Sequence, residues 1–330
     1  MGIGGSQRIP LRKLGRSDLE VSAIGLGCWQ FAQGKGFVGS YWASLTEDEI
    51  REIVRVSLEG GINWFDTAES YGGGQSERVL AASLRALQVR PGEVGIATKW
   101  RPFFRTAGSI PGTIDDRRAA LDGYPIDLHQ IHQPYALSPV RAQLEAMADL
   151  VEAGKIRHVG VSNFSARRMR LAHEALGRRG LPLVSNQVRY SLLHRTIERN
   201  GVLQAARELG ISIIAYSPLA QGLLTGKFHA QPDLVRSKTG YRKYLRDFRP
   251  AGLRASLPLI RLLRELAEKY GVTPGQIALN WLCGAQGDMV VVIPGAMSAA
   301  QTRENAGALS FRLTAEDIDV LSRVSGAIPA

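Results

Sequence analysis

Cysteine is nearly missing from this chain of 330 residues: Cys28 and Cys283 stand alone. Two thiols so far apart give neither a disulfide framework nor the close spacing of a zinc site, and such usage fits a reducing compartment. Long hydrophobic runs are missing too; without eighteen consecutive apolar residues no transmembrane helix is expected. The first residues, MGIGGSQRIPLRKLG, contain no apolar h-region, which argues against a secretory signal. Met1, Gly2 and Ser6 touch the myristoylation pattern, but a lone match carries little weight. A cytoplasmic location without membrane association is therefore expected. Histidine is sparse, and His129 and His132 are three apart on an expected strand, which sends them to opposite faces and excludes a shared metal. No G-x-S-x-G occurs, which speaks against a serine hydrolase.

What is abundant is positive charge. Lys and Arg outnumber Asp and Glu by 41 to 30, a formal net charge of +11. The excess is spread along the chain except in RSKTGYRKYLRDFR (236–249), which is either a solvated loop or a place to hold an anion. No helix-turn-helix, RNP or zinc-finger pattern accompanies it, so nucleic acid is not an expected partner. Two glycine motifs fail on inspection. GKGFVG (34–39) has the spacing of a dinucleotide fingerprint, but the following SYWAS does not open a helix. GLLTGK (222–227) is one residue short of a P-loop, and Phe228 stands where Ser or Thr would hold magnesium.

Short apolar runs alternate with amphipathic stretches from residue 20 onward. The runs are IGLGCW (24–29), NWFDTA (63–68), VGIATKW (94–100), DLHQIH (127–132), HVGVSN (158–163), VSNQVRY (184–190), SIIAYSP (212–218) and VVVIP (290–294). Helical patterns lie between them, at 46–60, 76–87, 139–153, 165–178, 200–209 and 298–307 among others. Thr46 and Glu49 form a capping box for the first, and Thr314 with Asp317 starts a last helix beyond the eighth strand. Eight strand–helix pairs favour an α/β fold of the (β/α)₈ TIM-barrel class over a doubly wound sheet. Additions to the minimal barrel are an N-terminal β-hairpin (RIPLRKLGRSDLEVS), a long loop from 219 to about 256 and the C-terminal helix. No linker or composition shift divides residues 1–330, so a single domain is expected.

In such a barrel the active groups lie at the C-terminal ends of the strands. That rule selects Asp66 at the end of the second strand with Tyr71 just beyond, Lys99 on the third and His132 on the fourth. Tyrosine has an ordinary pKa of about 10, and a nearby ammonium is expected to lower it while a carboxylate keeps the ammonium charged. The imidazole can orient a substrate oxygen. Such a set suits delivery of a proton to a carbonyl oxygen as hydride reaches its carbon. A buried Asp–Lys pair with an unrelated Tyr and His would explain any one of these residues; four at neighbouring strand ends make a better site than an accident.

From about residue 9 to 325 the chain resembles the aldo-keto reductase family, through INWFDTAESYGGGQSE, IATKW, DLHQIHQP, GKIRHVGVSNFS, SNQVRYSLL, IIAYSPLAQGLLTGKF and VVIPGAMSAAQTREN. The pattern is nearest the bacterial and potassium-channel β-subunit-like branch. The resemblance implies a catalytic tetrad of Asp66, Tyr71, Lys99 and His132, with Tyr71 as general acid. It implies a nicotinamide dinucleotide across the barrel mouth, with Tyr216 stacked on the ring and Ser162, Asn163 and Gln187 on its carboxamide. Ser217, Leu219, Gln221, Gly222 and Lys227 would line the pyrophosphate, with Gln301, Glu304 and Asn305 at the adenosine end. Many members carry Lys or Arg after the last strand to grip the 2′-phosphate of NADP; here Gly295, Met297 and Gln301 stand there, and Arg303 is the nearby base. NADP(H) is favoured and NAD(H) is possible. The implied activity is reversible, NAD(P)H-dependent reduction of aldehydes or ketones to alcohols. A cofactor-sensing regulatory subunit like the channel β subunits is the alternative. Trp29 and Trp100, with Phe103, Phe104 and Tyr135, are candidates for the walls of a site for a small carbonyl substrate. The chain carries no readable sign of an oligomeric state.

Overall fold

A computed structural model describes residues 10–35, 43–237 and 245–328. Two strands, β1 (Leu11–Lys13) and β2 (Glu20–Ser22), pair antiparallel as the expected hairpin. Eight more, β3 (Leu26–Gly27), β4 (Trp64–Asp66), β5 (Gly95–Trp100), β6 (Leu128–Ile131), β7 (His158–Ser162), β8 (Leu183–Arg189), β9 (Ser212–Tyr216) and β10 (Val290–Val292), make one parallel sheet in chain order. Bridges Ile24–Val292 and Gly27–Gly295 join its first and last strands, so the sheet closes into a (β/α)₈ barrel. Seven of the eight strands fall inside the apolar runs named above and β8 begins one residue before its run, at Leu183, because strands covered on both faces need continuous Val, Ile and Leu.

Helices fill the gaps: α1 (Glu47–Glu59), α2 (Gln75–Ala86), α3 (Ser109–Ala120), α4 (Val140–Glu152), α5 (Ala166–Gly177) and α6 (Val202–Leu209). The Thr46–Glu49 capping box forms at α1, each residue bonding the other's backbone N–H. Beyond β9 the expected long loop is more ordered than its sequence suggests. A 3₁₀ segment at Ala220–Thr225 leads to the short helices α7 (Lys227–Ala230) and α8 (Leu234–Ser237), and α9 (Pro250–Tyr270) begins before residue 256. Proline at the first position of α9 suits a helix start, whereas Pro258 inside it breaks the apolar period that would have revealed it. Helices α10 (Pro274–Gly284), α11 (Ala299–Gly307) and α12 (Ala315–Gly326) complete the fold. Residues 36–39 of GKGFVG and 238–244 of the basic segment lie outside the described residues. Among the described residues no helix is long and apolar enough to cross a membrane.

The hairpin closes the bottom of the barrel. Leu14 and Val21 pack with Trp64, Ala97, Leu128, Val184, Ile214 and Val291, all buried, while Gly15 lies so close to the Val184 carbonyl that a Cβ there would stand 2.3 Å from it. Trp64 donates its indole N–H to Ser22 O at 3.0 Å, tying the barrel interior to β2. With that end filled by apolar side chains, polar groups gather at the other.

Candidate active site

Strand alternation decides which residues meet in the barrel. Ala97 on β5 belongs to the interior cluster, so Lys99 two residues on shares its face; Leu128 and Gln130 do the same on β6, with His132 just beyond. Asp66 ends β4 beside Gly27, and Lys99 is paired in register with Gln130. Tyr71 follows β4 on a turn that Gly72, Gly73 and Gly74 continue, all at positive φ (66°, 62° and 82°). A side chain at Gly72 would stand 2.8 Å from the Ala32 carbonyl, so glycine is needed there for both torsion and space. Gly74 then caps α2, so the chain reverses immediately after the phenol.

The four selected side chains converge. Lys99 is fully buried and Asp66 nearly so; the ammonium makes a short ion pair with Asp66 Oδ1, donates to Thr67 O at 2.8 Å and reaches Tyr71 Oη at 3.4 Å. The His132 ring meets the Tyr71 ring edge-on at 5.8 Å, with its Nδ1 3.3 Å from Ser70 Oγ. Trp29, on the 3₁₀ turn after β3, stacks along Tyr71 at 6.3 Å.

Electrostatics follow from burial. Desolvation opposes charge on Lys99, but Asp66 and Tyr71 beside it hold the amine above its ordinary value. Tyr71 departs from the simple expectation: enclosure of the phenol pushes its pKa up, and the pull of Lys99 is smaller than that push. Burial, with Lys99 adding to it, drives the His132 pKa down to about 3, so the ring is neutral across the physiological range. The group is therefore a protonated phenol touching an ammonium, beside a neutral imidazole.

Around the rim, Asn163 adopts φ 60° directly after β7, and Ser217, Ala220 and Gln221 after β9 adopt φ 52°, 46° and 58°. Left-handed backbone at a non-glycine residue costs energy, and three such residues fall within five positions of the loop after β9. Tyr216 donates its hydroxyl to Asn163 Oδ1 at 3.1 Å, Asn163 Nδ2 donates to Ser162 Oγ at 3.0 Å, and Ser162 donates to Gln187 O at 2.9 Å. Gly222, at φ 93°, lies beneath Lys227: a Cβ there would be 3.4 Å from the Lys227 ammonium. Gln301 folds back to accept from Met297 N at 2.8 Å, Glu304 accepts from Thr273 Oγ1 at 2.7 Å, and Asn305 donates to Gly295 O at 3.5 Å. Leu219 is partly buried against the core at the start of the 3₁₀ segment.

One expected wall residue lies elsewhere. Trp100 is completely buried and donates its indole N–H to Ser109 Oγ on α3 at 3.1 Å, because alternation turns it away from the face of Lys99. Phe103, Phe104 and Tyr135 stand exposed on loops, whereas Trp29 stacks along Tyr71. Two glutamines escaped sequence reading. Gln130 shares the face of His132, two residues away, which was a usable signal. Gln30 follows Trp29 and keeps Oε1 buried without a partner, its amide so close to Gly295 that a Cβ there would stand 2.3 Å from it.

Comparison with known proteins places the fold in a family. The model of the Aldo/keto reductase family matches residues 23–325. Chloroplastic pyridoxal reductase of Arabidopsis thaliana is 36% identical over 324 residues, covering 93% of this chain and 84% of that one. An uncharacterized oxidoreductase of Mycobacterium tuberculosis is 39% identical over 307 residues, covering 92% and 89%. Among solved structures, a thermostable aldo-keto reductase in complex with the inhibitor epalrestat superposes with TM-score 0.75 at 30% identity, covering 96% of this chain and 99% of the other. The glycerol dehydrogenase of Gluconobacter oxydans superposes with TM-score 0.82 at 26% identity, covering 96% and 95%. Family model, relatives and fold agree: this chain belongs to the aldo/keto reductase family, oxidoreductases that act on small-molecule carbonyls with nicotinamide coenzymes.

Proposed function

We propose that the protein reduces aldehydes or ketones to alcohols, reversibly, with NADP(H) favoured over NAD(H). The observation that carries this reading is the Lys99 ammonium held between Asp66 and the Tyr71 hydroxyl at the open end of the barrel. A bound nicotinamide supplies the hydride for the carbonyl carbon. Tyr71 donates its phenolic proton to the carbonyl oxygen, and Lys99 stabilises the phenolate that remains. Asp66 keeps Lys99 charged and in place. In this reading Ser70, 3.3 Å from Nδ1, donates to it, which leaves the neutral His132 ring its proton on Nε2 for the substrate oxygen. Trp29 forms an apolar wall next to the phenol.

The rim residues fit a dinucleotide. Gln30 holds a buried acceptor oxygen without a partner, Gly222 leaves room for close backbone approach, and Lys227 lies over it with its charge. Ser217, Leu219, Gln221 and Gly222 would carry the pyrophosphate; Gly295, Met297, Gln301, Glu304 and Asn305 would carry the adenosine end. For the 2′-phosphate, Arg303 is mostly exposed and only loosely paired with Glu52 at 3.7 Å, which supports NADP(H) despite Gln301 being turned back on its own loop.

The test is nicotinamide absorbance on mixing protein, an aromatic aldehyde and NADPH or NADH. We expect oxidation faster with NADPH, and Tyr71→Phe to lower kcat by about 100-fold or more, the scale of a lost general acid, with coenzyme affinity unchanged. Tight coenzyme binding without turnover across aldehydes and ketones would instead favour a cofactor-sensing subunit.

A further inference from the structure

Asp66 is committed twice. Its Oδ1 takes Lys99, while its Oδ2 accepts from Gln187 Nε2 at 2.8 Å and from Gln130 Nε2 at 3.1 Å. Gln187 Nε2 also donates to Gln130 Oε1 at 3.3 Å, which closes a triangle of three buried side chains. A carboxylate only accepts hydrogen bonds, so both amides must turn their NH₂ groups toward Asp66. Gln130 then offers Gln187 a second acceptor, and two fixed N–H bonds determine the plane of that amide where one would leave it free to rotate. Among the described residues Gln187 Oε1 is left without a partner, and it is not sealed from the surface. The fold makes room for this: Gly160 on β7 is paired in register with Gln130, and a Cβ there would stand 3.0 Å from Gln130 Cγ.

We infer that Gln130 is a positioning residue that sets the plane of the Gln187 amide and so makes the site select an N–H donor, the NH₂ of a pyridine carboxamide. This rests on the coenzyme reading above and deepens it. The same triangle ties the carboxamide subsite to the proton-transfer group, since the carboxylate that pins Gln187 is the one that holds Lys99.

The experiment compares equilibrium binding of NADP⁺ with its 3-acetylpyridine analogue, in which a methyl group replaces the NH₂, and with 2′-phospho-ADP-ribose, which has no ring. The wild type is expected to prefer the carboxamide by roughly five- to tenfold, about what one hydrogen bond between neutral groups is worth. In Gln130→Met, which keeps the shape and loses both polar atoms, the preference should fall at least about threefold, with binding of the ringless fragment unchanged. Gln130→Glu, protonated beside Asp66, restores a donor and an acceptor and should restore the preference. Gln130→Leu serves if the Met variant does not fold. A Met or Leu variant that keeps the wild-type preference overturns the inference, as does a wild type with none. A wild type that binds the ringed compounds with these preferences but reduces no carbonyl overturns the proposed activity and leaves this assignment standing. A wild type that binds no dinucleotide overturns both.

Discussion

Tyr71 and Lys99 divide the cost of a proton donor. The phenol is enclosed enough that its pKa lies above its ordinary value, while Lys99 stays charged because Asp66 balances its burial. Reduction needs the phenol protonated, so its rate should hold steady through neutral pH and decline only above about 10, the unperturbed tyrosine value. His132, near 3, adds no ionisation between about pH 5 and 8. A pH series of single-turnover reduction checks this; an alkaline decline centred below about pH 9 would mean that the ammonium outweighs burial. The sequence alone points to the four residues, because barrel topology places chemistry at strand ends. It does not point to the sign of the tyrosine shift, which depends on how tightly the Gly72–Gly74 turn and Trp29 close around the ring.

At the scale of elements, α2 and α3 are pinned to β5 by a polar group inside the helix–strand interface. Glu77 on α2 is fully buried, accepts from Thr98 Oγ1, and has Arg117 on α3 at 3.3 Å. Burial raises its pKa to about 7. The folded value lies above the unfolded one, so the protonated acid contributes stability fully present below about pH 4.5 and lost as pH rises through 7. That amounts to on the order of 3 kcal/mol. Urea unfolding of the wild type should show this decline between about pH 4.5 and 7, and Glu77→Gln should flatten it; parallel curves would remove Glu77 from the account. The strands were legible because buried parallel strands are written as apolar runs. Helix α3 was not: SIPGTIDDRRAA has Pro and Gly in its first turn and little amphipathic pattern, and burial of Ile110, Ile114 and Ala120 decides its form. The capping signal at Thr314 was half right. Asp317 N–H bonds Thr314 Oγ1, but Thr314 N donates to Tyr270 Oη, because the Asp317 carboxylate is held by Lys269 and Tyr270.

For the whole molecule, the two ends of the barrel differ: apolar packing fills the hairpin end, and the group to which we assign proton transfer lies at the mouth. Leu14→Ala should therefore cost about 3 kcal/mol as a cavity at the closed end, read as a lower midpoint in thermal or urea unfolding, with kcat at 25 °C unchanged. A parallel loss of kcat would show that the two ends are mechanically coupled. The aromatic rim was the least legible part. Phe103, Phe104 and Tyr135 stand on loops whose paths are set by local turns, and Trp100 shows that an aromatic at a strand end can belong to the helix layer.

The seam of the barrel runs through Gly27 and Gly295, where the first strand meets the segment after the last. During synthesis Asp66, Tyr71, Lys99 and His132 leave the ribosome early, all by position 132, but the strand that closes the barrel around them comes nearly 160 positions later. A nascent chain thus holds all four side chains before it has the strand that brings the barrel around them. The mouth of the barrel, which draws on both sides of the seam, takes shape only with the last strand in place.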